Sequence, residues 1–129
     1  MIKIVSPIDI YINKNYHLNL NNYRNWHYLV SNSVKKEYTE LLVRQLRGLK
    51  MKTPVEITFI LYKPSKRKID RSNVLSIVEK FFCDALVHYG CIPDDDDKHI
   101  VSTHYSTGGI DKYNPRVEIY IKTKEWSQK

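Results

Sequence analysis

Four consecutive carboxylates are the part of this sequence best suited to chemistry. Asp94, Asp95, Asp96 and Asp97 follow one another directly, and like charges this close destabilise their own loop unless a positive charge compensates them. A hard divalent cation is one such compensator, because Mg²⁺ takes one or two carboxylates together with water and substrate phosphates. A solvated acidic turn is the alternative, and the pattern alone leaves both open.

Basic residues dominate the rest of the chain. The 129 residues include 21 Lys and Arg against 14 Asp and Glu, a net charge of +7. Without the four consecutive acids, 21 basic residues face only 10 acidic ones, which leaves +11. This excess predicts a polyanionic partner, although a membrane surface, simple solubility or solvated basic turns would also account for it. The candidate phosphate-binding residues are Lys14, Arg24, Lys63, Lys66, Arg67, Lys68 and Arg71.

A long helix is predicted over about residues 71–89, between the basic and acidic segments. Asp70 is a good N-cap and Gly90 a good stop. Residues four apart on a helix lie in one row. The polar row of this helix is Ser72, Ser76, Lys80, Asp84 and His88. Such a row is usually the solvated side of an amphipathic helix, but the two small serines would also let another backbone approach closely.

The remaining elements are predicted from hydrophobic periodicity and turn residues. Residues 1–6 and 55–62 have strand patterns, and residues 11–25 read as a loop rich in Asn and Tyr. A helix is expected to begin at Ser31 or Ser33 and to stop at Gly48.

Two further strands complete the expected fold. They cover residues 100–106 and 117–122, and their connection through Gly108 and Pro115 predicts a hairpin. The expected architecture is α/β (α+β), with a small mixed β-sheet and two main helices packed on it, in a single domain over residues 1–129.

Several classes of protein are not expected. No apolar run approaches the ~20 residues that span a bilayer, so we predict no membrane partner. Cys83 and Cys91 make neither a disulfide framework nor a zinc site, which favours a reducing cytoplasm. The phosphate-binding glycine loop, the His-Glu-x-x-His motif and the Gly-x-Ser-x-Gly elbow are all absent from the sequence.

Residues 66–97 carry an ordered set of polar residues. A basic run precedes an acid and a Ser-Asn pair, a Lys stands four residues before Asp-Ala-Leu, and two acids follow a Gly-hydrophobic turn. Its members are Asp70, Ser72, Asn73, Lys80, Asp84, Asp94 and Asp95. In order and spacing this set resembles the RusA family of Holliday-junction resolvases, in a phage-like branch with a lengthened helix.

The resemblance implies a function and a site. The family consists of dimeric, Mg²⁺-dependent endonucleases, often carried by phages and prophages, which nick four-way DNA junctions. It implies that Asp70 and Asp95 are catalytic carboxylates, that Lys80 is the catalytic-site lysine, and that Mg²⁺, with Mn²⁺ as a substitute, binds Asp70, Asp94 and Asp95. Supporting positions then fall on Ser72, Asn73 and Asp84.

Two departures from the family pattern bear on activity. The middle catalytic acid of the family is Ser72 here, and a hydroxyl binds a metal more weakly than a carboxylate. The helix is also four residues longer before Lys80, which is about one turn and leaves the lysine on nearly the same face. The replacement for the missing charge would come from Asp94, Asp96, Asp84 or Glu79. Otherwise the protein would bind junctions and cut them poorly.

Helix length raises a question about where the acids meet. Nineteen helical residues span roughly 28 Å, so Asp70 and Asp95 meet within one subunit only if the helix breaks or the following segment folds back along it. Otherwise an antiparallel pair of helices in a homodimer would complete each site across the two-fold axis.

The sequence thus leaves three hypotheses. The first is an Mg²⁺-dependent, structure-selective DNA endonuclease that resolves four-way junctions or other branched DNA. The second is a catalytically weak or inactive junction-binding protein, because the carboxylate is missing at Ser72. The third is a small RNA-binding module, supported only by the basic, tyrosine-rich segment near the N-terminus.

Overall fold

A computed structural model describes residues 1–124, which form six strands and four helices. The strands are β1 (Ile2–Ser6), β2 (Asp9–Tyr11), β3 (Asn15–His17), β4 (Val55–Lys63), β5 (Ile100–Ile110) and β6 (Arg116–Thr123). The helices are α1 (Leu20–Asn25), α2 (Tyr28–Leu41), α3 (Val43–Leu46) and α4 (Arg71–His88).

The main sheet has four strands in the order β1-β6-β4-β5. Strands β4 and β5 are parallel, while β6 is antiparallel to both β4 and β1. Parallel neighbours need a crossover connection, and here the crossover contains α4. Strands β2 and β3 form a separate two-stranded sheet. The expected α+β class with a small mixed sheet is confirmed.

Helix α4 supplies the centre of the core. It contacts β4 and β5 of the sheet and also the helices α1 and α2. The Phe82 ring packs edge-on against Phe59 of β4, and the Phe81 ring packs in the same way against Tyr38 of α2. The helix is therefore held from several sides, and its polar row occupies what remains at the surface.

The predicted hairpin between the last two strands is wrong. Strand β4 lies between β5 and β6, so these two strands are not hydrogen-bonded to each other. Gly108 and Gly109 belong to β5 rather than to a connecting loop. Parallel pairing with β4 extends β5 to Ile110, well beyond the alternating segment that the sequence shows.

The N-terminal third is more ordered than predicted. The segment 11–25, expected to be a loop, contains the last residue of β2, all of β3 and α1. Helix α2 begins at Tyr28, with His27 as its N-cap, and not at Ser31 or Ser33. It ends before Leu42, where a turn separates it from α3. Short elements packed by aromatic residues carry little periodicity, so the pattern missed them.

The segment after α4 turns back along the helix. Gly90 adopts a positive φ of 69°, and the Cys91 amide donates to the Leu86 carbonyl at 2.8 Å. Cys91 and Ile92 are then buried, each only 2 % exposed. This burial starts the return toward β5. Of the two possibilities left open by helix length, the fold-back is the one observed.

Two smaller expectations concern the cysteines and membranes. Cys83 and Cys91 are both free and buried. Within residues 1–124, the helices are too short or too polar to cross a bilayer.

Candidate active site

A cavity of about 450 Å³ lies between α4 and the edge strand β5. Helix α4 provides one wall and β5 the other, and the segment between them (residues 89–99, the return segment) closes one end. The lining residues are Ser76, Glu79, Lys80, Cys83, Asp95, Asp97, Ile100, Thr103 and Tyr105. The structure therefore brings Lys80 and Asp95 to one site, as the resemblance implies, and adds two further carboxylates.

The four consecutive acids divide into two structural and two cavity-lining residues. The Asp94 carboxylate accepts the Asp95 amide at 2.8 Å. The Asp96 carboxylate accepts the amides of Lys98 and His99 and contacts the His99 ring at 2.5 Å. Asp95 and Asp97 line the cavity instead. Two acids thus shape the turn while the other two remain available to a ligand.

The electrostatics of the cavity oppose an unpaired negative charge. Partial burial raises the pKa of Asp95, and the nearby carboxylates of Asp94 and Asp84 raise it further. Burial together with Glu79 raises the pKa of the Cys83 thiol to about 12. The thiol is therefore neutral, and a bound cation would relieve the repulsion among the carboxylates.

Glu79 is held against the sheet side of the cavity. The Tyr105 hydroxyl donates a short hydrogen bond to Glu79 Oε1. Burial raises the pKa of Tyr105, and the bond to Glu79 raises it further, so the phenol stays protonated and acts as a donor. The Tyr105 ring packs edge-on against Phe59, its register partner in β4.

Asp70 lies at a different position along α4. Its carboxylate accepts the amide of Ser72 at 3.1 Å and the Ser72 hydroxyl at 2.9 Å, which makes it the N-cap. These bonds lower the pKa of Asp70. A second cavity of about 430 Å³ is lined by Leu20, Asn21, Asp70, Ser72, Asn73 and Ser76. Asp70 and Asp95 therefore line neighbouring cavities within one chain, not the same one.

Ser76 lines both cavities. Its Oγ is the one buried side-chain polar atom in residues 1–124 that lacks a hydrogen-bond partner. Buried polar groups are normally satisfied by protein or water, and a water molecule in either cavity would supply a partner to this hydroxyl.

Two of the predicted supporting residues, Asn73 and Asp84, connect α4 to neighbouring helices. The Asn73 side chain accepts the Leu20 amide at 3.1 Å and so ties α1 to α4. Asp84 pairs with Lys35 of α2 at 2.7 Å, and not with Lys80 four residues earlier. Both positions orient the helix, and neither lines the larger cavity.

The basic side chains of the loop before α4 (residues 63–71) are exposed, apart from the half-buried Lys63. Among the described residues, no carboxylate pairs with the side chains of Lys63, Lys66, Arg67, Lys68 or Arg71. Arg71 instead donates to the Thr107 hydroxyl at 3.4 Å. Of the two more distant candidates, Lys14 lies over the Tyr16 ring at 5.4 Å, and Arg24 occupies the last turn of α1. The loop can therefore meet phosphates without first breaking an ion pair.

The carboxylates that line the larger cavity meet only part of what a hard cation needs. Carboxylate oxygens are the ligands that Mg²⁺ prefers, and three carboxylates line the larger cavity. Yet no three His, Cys, Asp or Glu side chains within residues 1–124 are grouped closely enough to hold an ion by themselves. Water and substrate phosphates would have to complete the coordination shell, which is usual for Mg²⁺.

Sequence reasoning missed part of this cavity. Tyr105 carried no signal beyond its place in a strand, and Asp97 was one of four identical neighbours. Glu79 was one of several acids that could replace the missing charge.

A scan against models of protein families finds no match to the chain, and a search of curated proteins finds no significant match.

Proposed function

We propose that this protein is a metal-dependent endonuclease that cuts branched DNA, with the four-way junction as its substrate. The observation that carries the proposal is the convergence of Lys80, Asp95 and two further carboxylates on one cavity. The resemblance to the RusA family, made on residues 66–97, supports the same reaction. A dimer matches the two-fold symmetry of a four-way junction, and in it each chain would carry its own cavity.

The residues have distinct roles in this proposal. Asp95 and Asp97 supply negative charge to the cavity, and Lys80 supplies positive charge to the same cavity. Lys80 is placed to stabilise charge that develops on a phosphate during hydrolysis. Bound Mg²⁺ or Mn²⁺ would polarise the scissile phosphate and lower the pKa of a water molecule. The basic loop at residues 63–71 binds phosphates of the DNA backbone.

Cleavage of a synthetic four-way junction tests the proposal. The wild-type protein is expected to nick the junction with Mg²⁺ or Mn²⁺ and to be inactive with EDTA. Asp95→Asn and Lys80→Gln are each expected to lower the rate by about 100-fold or more, the usual effect of losing a charge-stabilising group. Glu40→Gln is the matched control, because Glu40 is exposed and lies outside both α4 cavities.

Two observations support a second function. No three metal-ligating side chains are grouped within the described residues, and the Ser72 hydroxyl bonds to Asp70 where the family has an acid. A junction-binding protein without cleavage activity would have these properties. Tight binding to the junction with no nicks, even in Mn²⁺, would favour it over the endonuclease.

A further inference from the structure

We propose that Glu79 supplies the carboxylate that the family places at position 72, and that Tyr105 is its positioning residue. The proposal rests on the proposed function and adds a residue to the same cavity. It concerns the choice among the four acids that could replace the missing charge.

Hydrogen bonding separates these four acids. Asp84 is paired with Lys35, and Asp96 is bonded to His99 and two backbone amides. Asp94 accepts the amide of the next residue. None of these three lines the larger cavity, whereas Glu79 does. In the described part of the chain, Glu79 has neither a cation nor a backbone amide as a partner.

The bond from Tyr105 orients Glu79 without using up its acceptors. A glutamate on a helix surface samples many rotamers, and a hydrogen bond to one carboxylate oxygen selects among them. Each carboxylate offers about four acceptor sites, so a cation or a metal-held water can still be accepted. The Tyr105 ring is itself fixed by Phe59 in the neighbouring strand.

The expected consequence is a change in metal dependence. Partners that orient a metal ligand typically account for a 10- to 100-fold change in metal affinity. Tyr105→Phe keeps the ring against Phe59 and removes only the hydroxyl. We expect it to raise the Mn²⁺ concentration at half-maximal junction cleavage by about tenfold while the rate at saturating Mn²⁺ stays close to wild type. Glu79→Gln is expected to lower the saturated rate as well.

Tyr120→Phe is the matched control. Tyr120 donates to Glu118 at 2.8 Å, which is a second Tyr–Glu pair, and neither residue lines the cavity. Loss of the Tyr120 hydroxyl should leave the metal dependence of cleavage unchanged. Thermal unfolding of all variants checks that each is folded. Mn²⁺ binding, followed by EPR on the chilled protein–junction complex before turnover, measures metal affinity independently of cleavage.

The outcomes separate the two proposals. Weakened Mn²⁺ binding in Tyr105→Phe and Glu79→Gln, but not in Tyr120→Phe, supports the assignment. If wild-type protein cleaves and both cavity variants show its metal dependence, the assignment is overturned while the proposed function stands. If wild-type protein neither cleaves nor binds Mn²⁺ with the junction, both fail. Mn²⁺ binding without cleavage, weakened in both variants, supports the assignment and overturns the endonuclease.

Discussion

At the scale of single residues, the most informative positions are acids whose environments differ despite identical chemistry. Asp94 and Asp96 bond to the backbone of their own turn, whereas Asp95 and Asp97 line the cavity. A sequence of four identical residues cannot reveal this division, because it depends on how the turn folds. The capping role of Asp70, by contrast, follows from its place before an apolar helix and is confirmed.

Asp70 allows charge and helix capping to be tested separately. Asn is as good an N-cap as Asp, so Asp70→Asn should leave stability nearly unchanged, while Asp70→Ala should lower it by about 1 kcal/mol. Because Asp70 lies outside the larger cavity, we expect Asp70→Asn to slow junction cleavage less than Asp95→Asn does. Urea unfolding and single-turnover cleavage measure the two effects. Equal loss of cleavage in both Asn variants would place Asp70 in the reaction itself.

At the scale of elements, the return segment decides which residues meet. The helix α4, its N-cap and its end at Gly90 can all be read from the sequence, and the structure confirms them. The fold-back cannot, because it depends on two hydrogen bonds of the buried Cys91. Its carbonyl accepts the Met51 amide at 3.0 Å, and its thiol donates to the Leu46 carbonyl at 3.3 Å. Both are long-range contacts. The fold-back brings Asp95 to the side of α4, although Asp70 still lines a separate cavity.

The end of β5 next to the basic loop depends on a glycine. Gly108 is the extra residue of a β-bulge, since Thr107 pairs with Leu61 and Gly109 with Tyr62. A Cβ at position 108 would lie 2.4 Å from Tyr62 Cζ, and that ring also stacks on Arg116 at 4.1 Å. The bulge therefore has room for a glycine only.

Gly108→Ala is accordingly expected to destabilise the protein by about 1 to 3 kcal/mol, the usual cost of overpacking. Chemical denaturation of the single variants and of the double variant with Tyr62→Leu measures the effect. The alanine should cost less once the ring is gone, although Ile60 Cγ2 at 2.8 Å retains part of the clash. Strict additivity of the two substitutions would show that the ring does not restrict position 108.

At the scale of the whole molecule, the net charge of +7 conceals two surfaces of opposite sign. The exposed basic loop precedes α4, and the cavity-lining acids lie against the middle of the same helix. From Ser72 to Glu79 the helix rises only about 10 Å. DNA held by the loop would thus pass close to the acids, which repel its phosphates unless a cation is present. The charge pattern predicts that divalent cations bind at the cavity, and that added salt lowers the affinity of the basic loop for DNA.

The salt dependence of junction binding separates these two effects. Each phosphate contact contributes about −0.9 to the slope of log affinity against log salt concentration. Replacing Lys66, Arg67 and Lys68 together with Gln should therefore make the slope shallower by about 2 to 3. The control replaces three exposed basic residues of α2, α3 and the turn after α3, namely Lys36, Arg44 and Arg47, which changes the net charge equally. Fluorescence anisotropy with labelled junction in EDTA measures both slopes without cleavage. Equal slopes in the two triple variants would mean that overall charge, and not the basic loop, binds the DNA.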